Sequence, residues 1–516
     1  MARQVHGGKG QTLLEAMRAD FQNAEAPCGG SGRCGRCRVL VPAESAPNKL
    51  TRPLLSKATD EEASLLGPDN LHSGWRLACL ARFARAGTVQ IDQEERGFFL
   101  PEKAGTTKAV RVPGSAYCAA VDIGTTTISC VLADSSSGRI AARAAAANRQ
   151  RSYGPDVVSR IENALRAPEN LAKMQRLVRG QVGEMLGGLC RTAGRVRPER
   201  IHICGNTTML HFWEGANVTG LGRMPFQPVF LETRESSIEM DDGRIVPCRL
   251  LPGISAFIGA DIAAGIVACG LQAISGRPEL LVDIGTNGEI VLACGDQLLA
   301  TATAAGPAFE GAAISCGIPA VEGAVDHVFW QAGRFSFTTL GDAPPAGICG
   351  SGLLDLLACL RRAGLMDENG RLKSPADSAG EPAFRFPSAP GLTLTQADIR
   401  QLQLAKGAVA AGIRVLSRRA GLALANIGRV HLAGGFGSSL DPGSALDIGL
   451  MPAELAGRIE AAGNTALAGT LMSARDPSLL DLCARVASRV RVVDLSRDAG
   501  FKDAFMEAMR FPALTK

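Results

Sequence analysis

The order of apolar and polar positions divides this chain into segments of different period. Near the start, Thr12-Leu13-Leu14-Glu15 has the form of a capping box, with the Thr12 hydroxyl placed to cap a helix and Glu15 to reach back, which predicts a short helix to about Asp20. Residues 96–115 mix Pro, Gly and charged residues without any period and read as a linker. From Tyr117 onward, short β-rich runs alternate with Ala- and Leu-rich helical patterns, which predicts an α/β architecture. The longest apolar stretch, Ala256 to Leu271, is interrupted by Asp261 and rich in Gly and Ala, so a buried helix is expected and not a membrane span. Thr395 to about Arg419 sets Ile399, Leu402, Val409, Ile413 and Leu416 on one helical face, so most of that segment belongs to a core. Lys406 lies near this face and either touches a ligand or snorkels along it.

One internal repeat stands out. Val121-Asp122-Ile123-Gly124-Thr125 recurs as Val282-Asp283-Ile284-Gly285-Thr286, each followed by a second apolar strand-like run, and two similar halves are implied. Composition agrees with a folded, multi-domain chain: 516 residues suggest about three domains, and 46% apolar residues suffice for real cores. Sixty glycines against 4% aromatics favour tight turns and close backbone approach over stacking platforms. A net charge of +5, with no block of five like charges, disfavours nucleic acid as a partner. The first residues, MARQVHGGKGQ, lack the apolar core of a signal peptide, so a cytoplasmic, reducing location is expected for the fifteen cysteines.

Four of those cysteines group. Cys28, Cys34 and Cys37 follow a C-x5-C-x2-C spacing, and Cys79 comes after 41 intervening residues. Four thiolates can hold a 2Fe-2S cluster, and Gly29, Gly30, Gly32 and Gly35 let the chain wrap closely enough for backbone amides to reach cluster sulfides. A structural zinc site is the alternative, but it usually uses two C-x-x-C knuckles and only one is present here. Cys130, Cys269 and Cys359 sit singly in apolar runs and read as packed thiols.

The repeated motif carries different chemistry. A strand ending in Asp-x-Gly-Thr sets a carboxylate beside a turn whose amides and hydroxyls can grip phosphate, and a carboxylate next to phosphate needs a cation. Asp122 and Asp283 are therefore candidates to orient Mg2+, with Gly124, Thr125, Thr126, Gly285, Thr286 and Asn287 as phosphate-binding positions. Taken singly, each motif is equally an ordinary hairpin. A third Gly-rich element, with Gly434, Gly435 and Gly437, follows the apolar run Ile427 to Val430 and offers bare backbone to a nucleoside, or else is a tight strand-to-helix turn. Gly350 and Ser351, before the helical run LLDLLACLRRAG, either donate amides to phosphate or form a cap.

The APCGGSGRCGRCRV run resembles the 2Fe-2S ferredoxins of the adrenodoxin-like type over about 90 residues. Only about ten polar, Gly-rich residues precede Thr12, so a short or frayed first strand is expected where such domains open with a clear hairpin. Two phosphate hairpins followed by a distal Gly-Gly loop resemble the ASKHA superfamily of sugar kinases, chaperone ATPases and actin. The segments GNTTMLHFW, LPGISAFIGADIAAGI, DIGTNGEIVLA, AAGPAFEGAAISCGI, ICGSGLLDLL, TQADIRQLQLAKGAVAAGI and HLAGGFGSSLD resemble one family, the reductive activators of corrinoid proteins. That resemblance runs over essentially the whole chain. It implies an N-terminal β-grasp 2Fe-2S ferredoxin-like domain (1–95), a linker (96–115), a middle region with the first phosphate hairpin (116–199) and a C-terminal region (200–516), the last two forming a two-lobed, ribonuclease-H-like ASKHA ATPase fold. It also implies an ATP-dependent enzyme that reduces Co(II) corrinoid protein to Co(I), an upstream electron donor, room for a homodimer, and Glu310 and Asp261 as polar site residues. No D-x-H-x-x-G run of the kind that ligates cobalamin occurs, so the corrinoid would belong to a partner. An ASKHA metabolite kinase and a chaperone-like ATPase with a redox-sensing cluster are the competing readings, and the cysteine spacing argues against the 4Fe-4S activators of 2-hydroxyacyl-CoA dehydratases.

Overall fold

The computed structural model describes residues 2–20, 37–41, 54–92, 116–274, 276–311, 314–373, 382–434 and 440–513. The expected linker, Cys28, Cys34, Gly435 and Gly437 lie outside the described residues. The chain forms two units, Met1–Gly97 and Phe98–Lys516.

The first unit runs through β1 (Ala2–Gly7), α1 (Leu13–Asp20), β2 (Arg38–Leu40), α2 (Asp60–Leu66), α3 (Pro68–His72), β3 (Trp75–Leu77) and β4 (Gly87–Asp92). Its strands make one sheet in the order β1-β4-β2-β3, the β-grasp arrangement, over a core that includes Val5, Leu13, Val39, Leu77, Phe83 and Ile91. The capping box forms as expected: the Thr12 amide donates to Glu15 Oε2 at 2.8 Å and the Glu15 amide to Thr12 Oγ1 at 3.1 Å. The first strand is a correction, because β1 is neither short nor frayed. It pairs over six residues with β4, Val5 opposite Val89. One buried side chain on the core face and a complete partner strand fix that register, which local composition does not reveal.

Glu62 on α2 ties this unit together. Its buried carboxylate accepts from Arg76 Nε at 3.0 Å, Arg76 Nη2 at 2.9 Å, the Leu77 amide at 2.9 Å and the Thr59 amide at 3.1 Å. Burial alone would raise the Glu62 pKa, but the Arg76 guanidinium and the amide donors outweigh it and hold the carboxyl below its ordinary range.

In the second unit β5 (Tyr117–Ile123), β6 (Thr127–Asp134) and β7 (Ile140–Ala147) form an antiparallel meander. After α4 (Val157–Arg166) and α5 (Pro168–Thr192), β8 (Pro198–Gly205) joins β5 in parallel. Residue 200, the expected start of the C-terminal region, thus lies inside a strand of this sheet. Then come α6 (Thr207–Glu214), α7 (Thr219–Gly222), β9 (Arg234–Glu239) and β10 (Ile245–Leu250), giving the order β7-β6-β5-β8-β10-β9. The expected apolar helix is shorter than its pattern: α8 spans Ala260–Ala268, because the Ser255 hydroxyl takes the Phe257 and Ile258 amides at 3.3 and 3.1 Å and turns the chain first.

The second lobe repeats the first. β11 (Glu279–Ile284), β12 (Gly288–Cys294) and β13 (Gln297–Thr303) make the same meander. A small sheet of β14 (Ala324–Gln331), β15 (Arg334–Thr339) and β16 (Gly347–Ile348) follows, then α9 (Gly350–Arg362), the pair β17 (Ala383–Phe386) and β18 (Ala389–Thr395), and α10 (Gln396–Arg419). β19 (Arg429–Ala433) joins β11 in parallel, as β8 joins β5. The chain ends with α11 (Pro442–Asp447), β20 (Ile459–Gly463), α12 (Thr465–Arg475), α13 (Ser478–Arg489), β21 (Arg491–Val492) and α14 (Phe501–Ala508). The duplicated motif is therefore a duplicated half-sheet, β7-β6-β5-β8 against β13-β12-β11-β19.

Two helices carry the chain between the lobes. α8 leads from the first sheet toward β11, while α12 leaves β20 of the second sheet and packs on β5 and β8 of the first. They lie backbone to backbone: a Cβ on Gly469 would overlap the Ala264 carbonyl, and one on Gly265 would stand 2.9 Å from Thr465 Oγ1. α10 places its apolar face as its period requires, but Lys406 does not snorkel to water. It is buried, and its ammonium donates to the carbonyls of Ala508 at 2.6 Å and Arg510 at 2.7 Å beneath the Phe511 ring. Among the described residues no helix is long and apolar enough to cross a membrane.

Glu62→Ala should destabilise the first unit by about 3–5 kcal/mol, since it leaves a largely covered guanidinium and two amides without their acceptor. Because the folded-state pKa of Glu62 is depressed, this contribution is complete above the ordinary carboxylate range and is lost as pH falls through the folded value. Calorimetry of the full chain should therefore show a gap between wild type and variant that narrows in acid; an unchanged gap would contradict the assignment.

Candidate functional site

Two of the four grouped cysteines are in view. Cys37, which leads into β2, and Cys79, which follows β3, are both buried, with their sulfurs 3.1 Å apart. That is well beyond the roughly 2.05 Å of a disulfide and close enough for two thiolates to share one metal. The Cys79 amide points at Cys37 Sγ at 3.4 Å, and the Ala78 amide donates to the Cys37 carbonyl at 2.8 Å. Amide-to-sulfur bonding of this kind suits a cluster thiolate, so the pair fits 2Fe-2S ligation. Glu62 holds Arg76 and Leu77, immediately before Cys79.

The second unit brings the two Asp-x-Gly-Thr hairpins together. Thr126 Oγ1 and Thr286 Oγ1 lie 3.3 Å apart, one from each half of the repeat. The turns are not identical. The first closes with Gly124 N to Thr127 O at 3.0 Å and the second, one residue shorter, with Gly285 N to Asn287 O at 2.9 Å. Register follows turn length, so Ser129 stands opposite Asp122 but Glu289 stands opposite Asp283. Side chains directly opposite on an antiparallel pair lie about 5 Å apart, and like charges there repel. Burial, and then the charges of Asp261 and Asp283, hold the Glu289 carboxyl well above the usual carboxylate range. Asp261, in the first turn of α8, is pushed up to about 6 by burial even though its Oδ1 accepts the Ile262 amide at 2.8 Å. Glu289 escaped the sequence reading because the two hairpins were treated as equal; counting turn residues would have found it.

Two of the asparagines that hold the first hairpin also cap helices α6 and α12. Asn206 caps α6, its Oδ1 accepting the Met209 amide at 3.0 Å, while its Nδ2 donates to Thr125 Oγ1 at 2.9 Å. Asn464 caps α12 through the Leu467 amide at 2.7 Å and donates to Asp122 Oδ2 at 2.9 Å. An Asn before a helix signals a cap; its second bond is not legible without the fold. Gly434 ends β19 with φ +98°, and a Cβ there would overlap the Ile284 carbonyl and stand 2.8 Å from Asp283 Oδ1. Only glycine lets the backbone pass this close to the second hairpin. Gly350 opens α9, and the buried Ser351 uses its hydroxyl on the Asp326 carbonyl at 2.8 Å, a bond internal to the fold. Glu310 closes the 3-10 turn Pro307–Glu310. Cys130 and Cys359 are buried and Cys269 is half-buried, and burial pushes all three thiols up, as packed thiols require.

A β-grasp unit with paired buried thiols, followed by a duplicated half-sheet whose Asp-Gly-Thr hairpins face each other, defines a 2Fe-2S domain joined to an ASKHA fold. Family models agree in each part: the 2Fe-2S iron-sulfur cluster binding domain matches residues 2–84, the RACo middle region 117–274, and the C-terminal ASKHA domain of RACo 277–516. The chain is 30% identical over 417 residues to the corrinoid activation enzyme RamQ of Eubacterium limosum, spanning 76% of this chain and 69% of that protein. It is 26% identical over 336 residues to the [Co(II) methylated amine-specific corrinoid protein] reductase of Methanosarcina barkeri, 57% of this chain and 59% of that one. A solved reductive activator for a corrinoid, iron-sulfur protein superposes with a TM-score of 0.71 at 26% identity, covering 98% of this chain and 96% of that one. The chain belongs to the family of reductive activators of corrinoid proteins.

Glu289→Gln removes one of two opposed acids, so it should stabilise the nucleotide-free protein near neutral pH by about 0.5–1 kcal/mol. A raised folded-state pKa contributes stability that is lost as pH rises through it, so the wild-type melting temperature should fall more steeply than that of the variant as pH rises above the ordinary carboxylate range. Parallel profiles would remove the opposed-acid reading.

Proposed function

We propose that this protein hydrolyses ATP to drive single-electron reduction of a partner corrinoid protein from Co(II) to Co(I), with the electron passing through a 2Fe-2S cluster. The observation that carries the nucleotide half is the convergence of the two hairpins, with Thr126 and Thr286 in contact and Asp122 and Asp283 at equivalent strand ends. The cluster half rests on the adjacent Cys37 and Cys79 sulfurs and on family membership.

In this reading Asp122 and Asp283 orient Mg2+, and the backbone and hydroxyls of Gly124, Thr125, Thr126, Gly285, Thr286 and Asn287 receive the phosphates. Mg2+, when bound, neutralises phosphate charge and positions the attacking water. Glu289 keeps its proton until a cation enters, which spares the empty cleft a further negative charge. Gly434, Gly435 and Gly437 give the nucleoside a wall without side chains, and Gly350 and Ser351 supply backbone near the phosphates. Cys28, Cys34, Cys37 and Cys79 hold the cluster, which, when bound, passes one electron at a time.

Nucleotide is needed because the electron moves uphill. A gap of about 200 mV costs about 5 kcal/mol, and hydrolysis to ADP and phosphate can cover it by favouring a partner conformation whose cobalt is easier to reduce. One electron leaves an upstream donor, passes the cluster and arrives on cobalt; no atom is transferred. Linkage requires that nucleotide and corrinoid protein change each other's affinity.

Asp122→Ala and Asp283→Ala should each lower hydrolysis ten-fold or more while the visible spectrum and reduced-state EPR signal of the cluster stay unchanged. With the cognate corrinoid protein and a reductant too weak to make Co(I) alone, the Co(I) absorbance should require both ATP and the four cysteines, and Cys37→Ser should abolish it together with the cluster spectrum. Equal Co(I) yield without ATP would overturn the activator reading, and phosphorylation of a small acceptor would replace it with a kinase.

A further inference from the structure

The two aspartates are joined by a short path through the backbone of the second lobe. Gly434 lies against Asp283 Oδ1, as the space for a Cβ shows, and its amide donates to the Gly463 carbonyl at 3.1 Å. The next residue, Asn464, donates from Nδ2 to Asp122 Oδ2 at 2.9 Å. Gly463 ends β20 of the second sheet, and Asn464 starts α12, which packs on the first. Asp122 thus takes a hydrogen bond from the residue at which the chain crosses between lobes.

Asn464 has two separable duties. Its Oδ1 accepts the Leu467 amide and caps α12, which Asp or Ser does equally well. Its Nδ2 donates to Asp122, which neither Asp nor Ser can reproduce: Asp has no donor, and Ser is one atom shorter. A cap alone would leave the choice among these residues open. A neutral donor on Asp122 fixes its orientation without supplying a cation that would compete with Mg2+.

We infer that Asn464 is a positioning residue that fixes the Asp122 carboxylate for the nucleotide cation site, tied to the second hairpin through the Gly434–Gly463–Asn464 path. The inference rests on the nucleotide reading of the cleft and deepens it.

The test uses the full-length protein and three variants, Asn464→Ser, Asn464→Asp and Asp122→Asn. Asn464→Ser should melt close to wild type because the cap is kept, and Asn464→Asp lower because its carboxylate meets that of Asp122; in Asn464→Ser, affinity for ATP with Mg2+, measured by titration calorimetry, should fall about 10–100-fold, the usual loss when a partner of a metal-binding carboxylate is removed. Affinity for ADP without Mg2+ should change less than two-fold. In an Asp122→Asn background, adding Asn464→Ser should cost little more, because both changes remove one interaction. Wild-type affinity for Mg2+ with ATP in Asn464→Ser, or additive losses in the double variant, would overturn the role of Asn464 and leave the nucleotide reading intact. Equal weakening of Mg2+-free ADP binding would also overturn it, by pointing to general damage to the cleft. Failure of the wild-type protein to bind Mg2+ with ATP at all would overturn both.

Discussion

The second unit is organised around a concentration of carboxylates on neighbouring elements. Asp122, Asp261, Asp283 and Glu289 come from β5, α8, β11 and β12; Asp122 accepts from Asn464, Asp261 from the Ile262 amide, and Glu289 feels the charges of Asp261 and Asp283. Neutral donors orient carboxylates without discharging them. The surrounding architecture follows: glycine at 434 for close approach, asparagines at 206 and 464 that cap helices and hold the hairpin, and two crossing helices packed backbone to backbone.

The first unit answers a different demand. It keeps two sulfurs close and buried, and Glu62 anchors the residues just before Cys79 with three hydrogen bonds and accepts a fourth from the Thr59 amide. Electron transfer favours a site that reorganises little, and a buried acid whose acceptor capacity is filled is one way to make the strand beside the ligand rigid. The two units therefore contrast in physical design, one fixed around its sulfurs and the other arranged about a crossing.

Much of this was legible in the chain because it is encoded locally. The Thr12 capping box, the period of α10 and the repeated Asp-x-Gly-Thr are patterns within a few residues, and each took the expected form. What was not legible depends on partners distant in sequence. β1 owes its length to β4, about 85 residues away. Glu289 became significant only through strand register, and Asn464 through a bond spanning 342 positions. Lys406 was misjudged because a lysine near an apolar face ordinarily leads its charge to water, and here the backbone carbonyls of the last helix stand where water would be.

That lysine makes the segment around residues 508–511 part of the interior. Burial, with the Arg361 charge, lowers its pKa to about 7, so near neutral pH the clamp includes a sizeable fraction of uncharged amine, a good nucleophile hidden under Phe511. Amine-directed reagents would reach it last among the described lysines, after the C-terminal turn has lifted. Lys406 is thereby a built-in reporter of that lifting: its labelling rate counts the openings of the chain end, independently of anything that happens in the cleft.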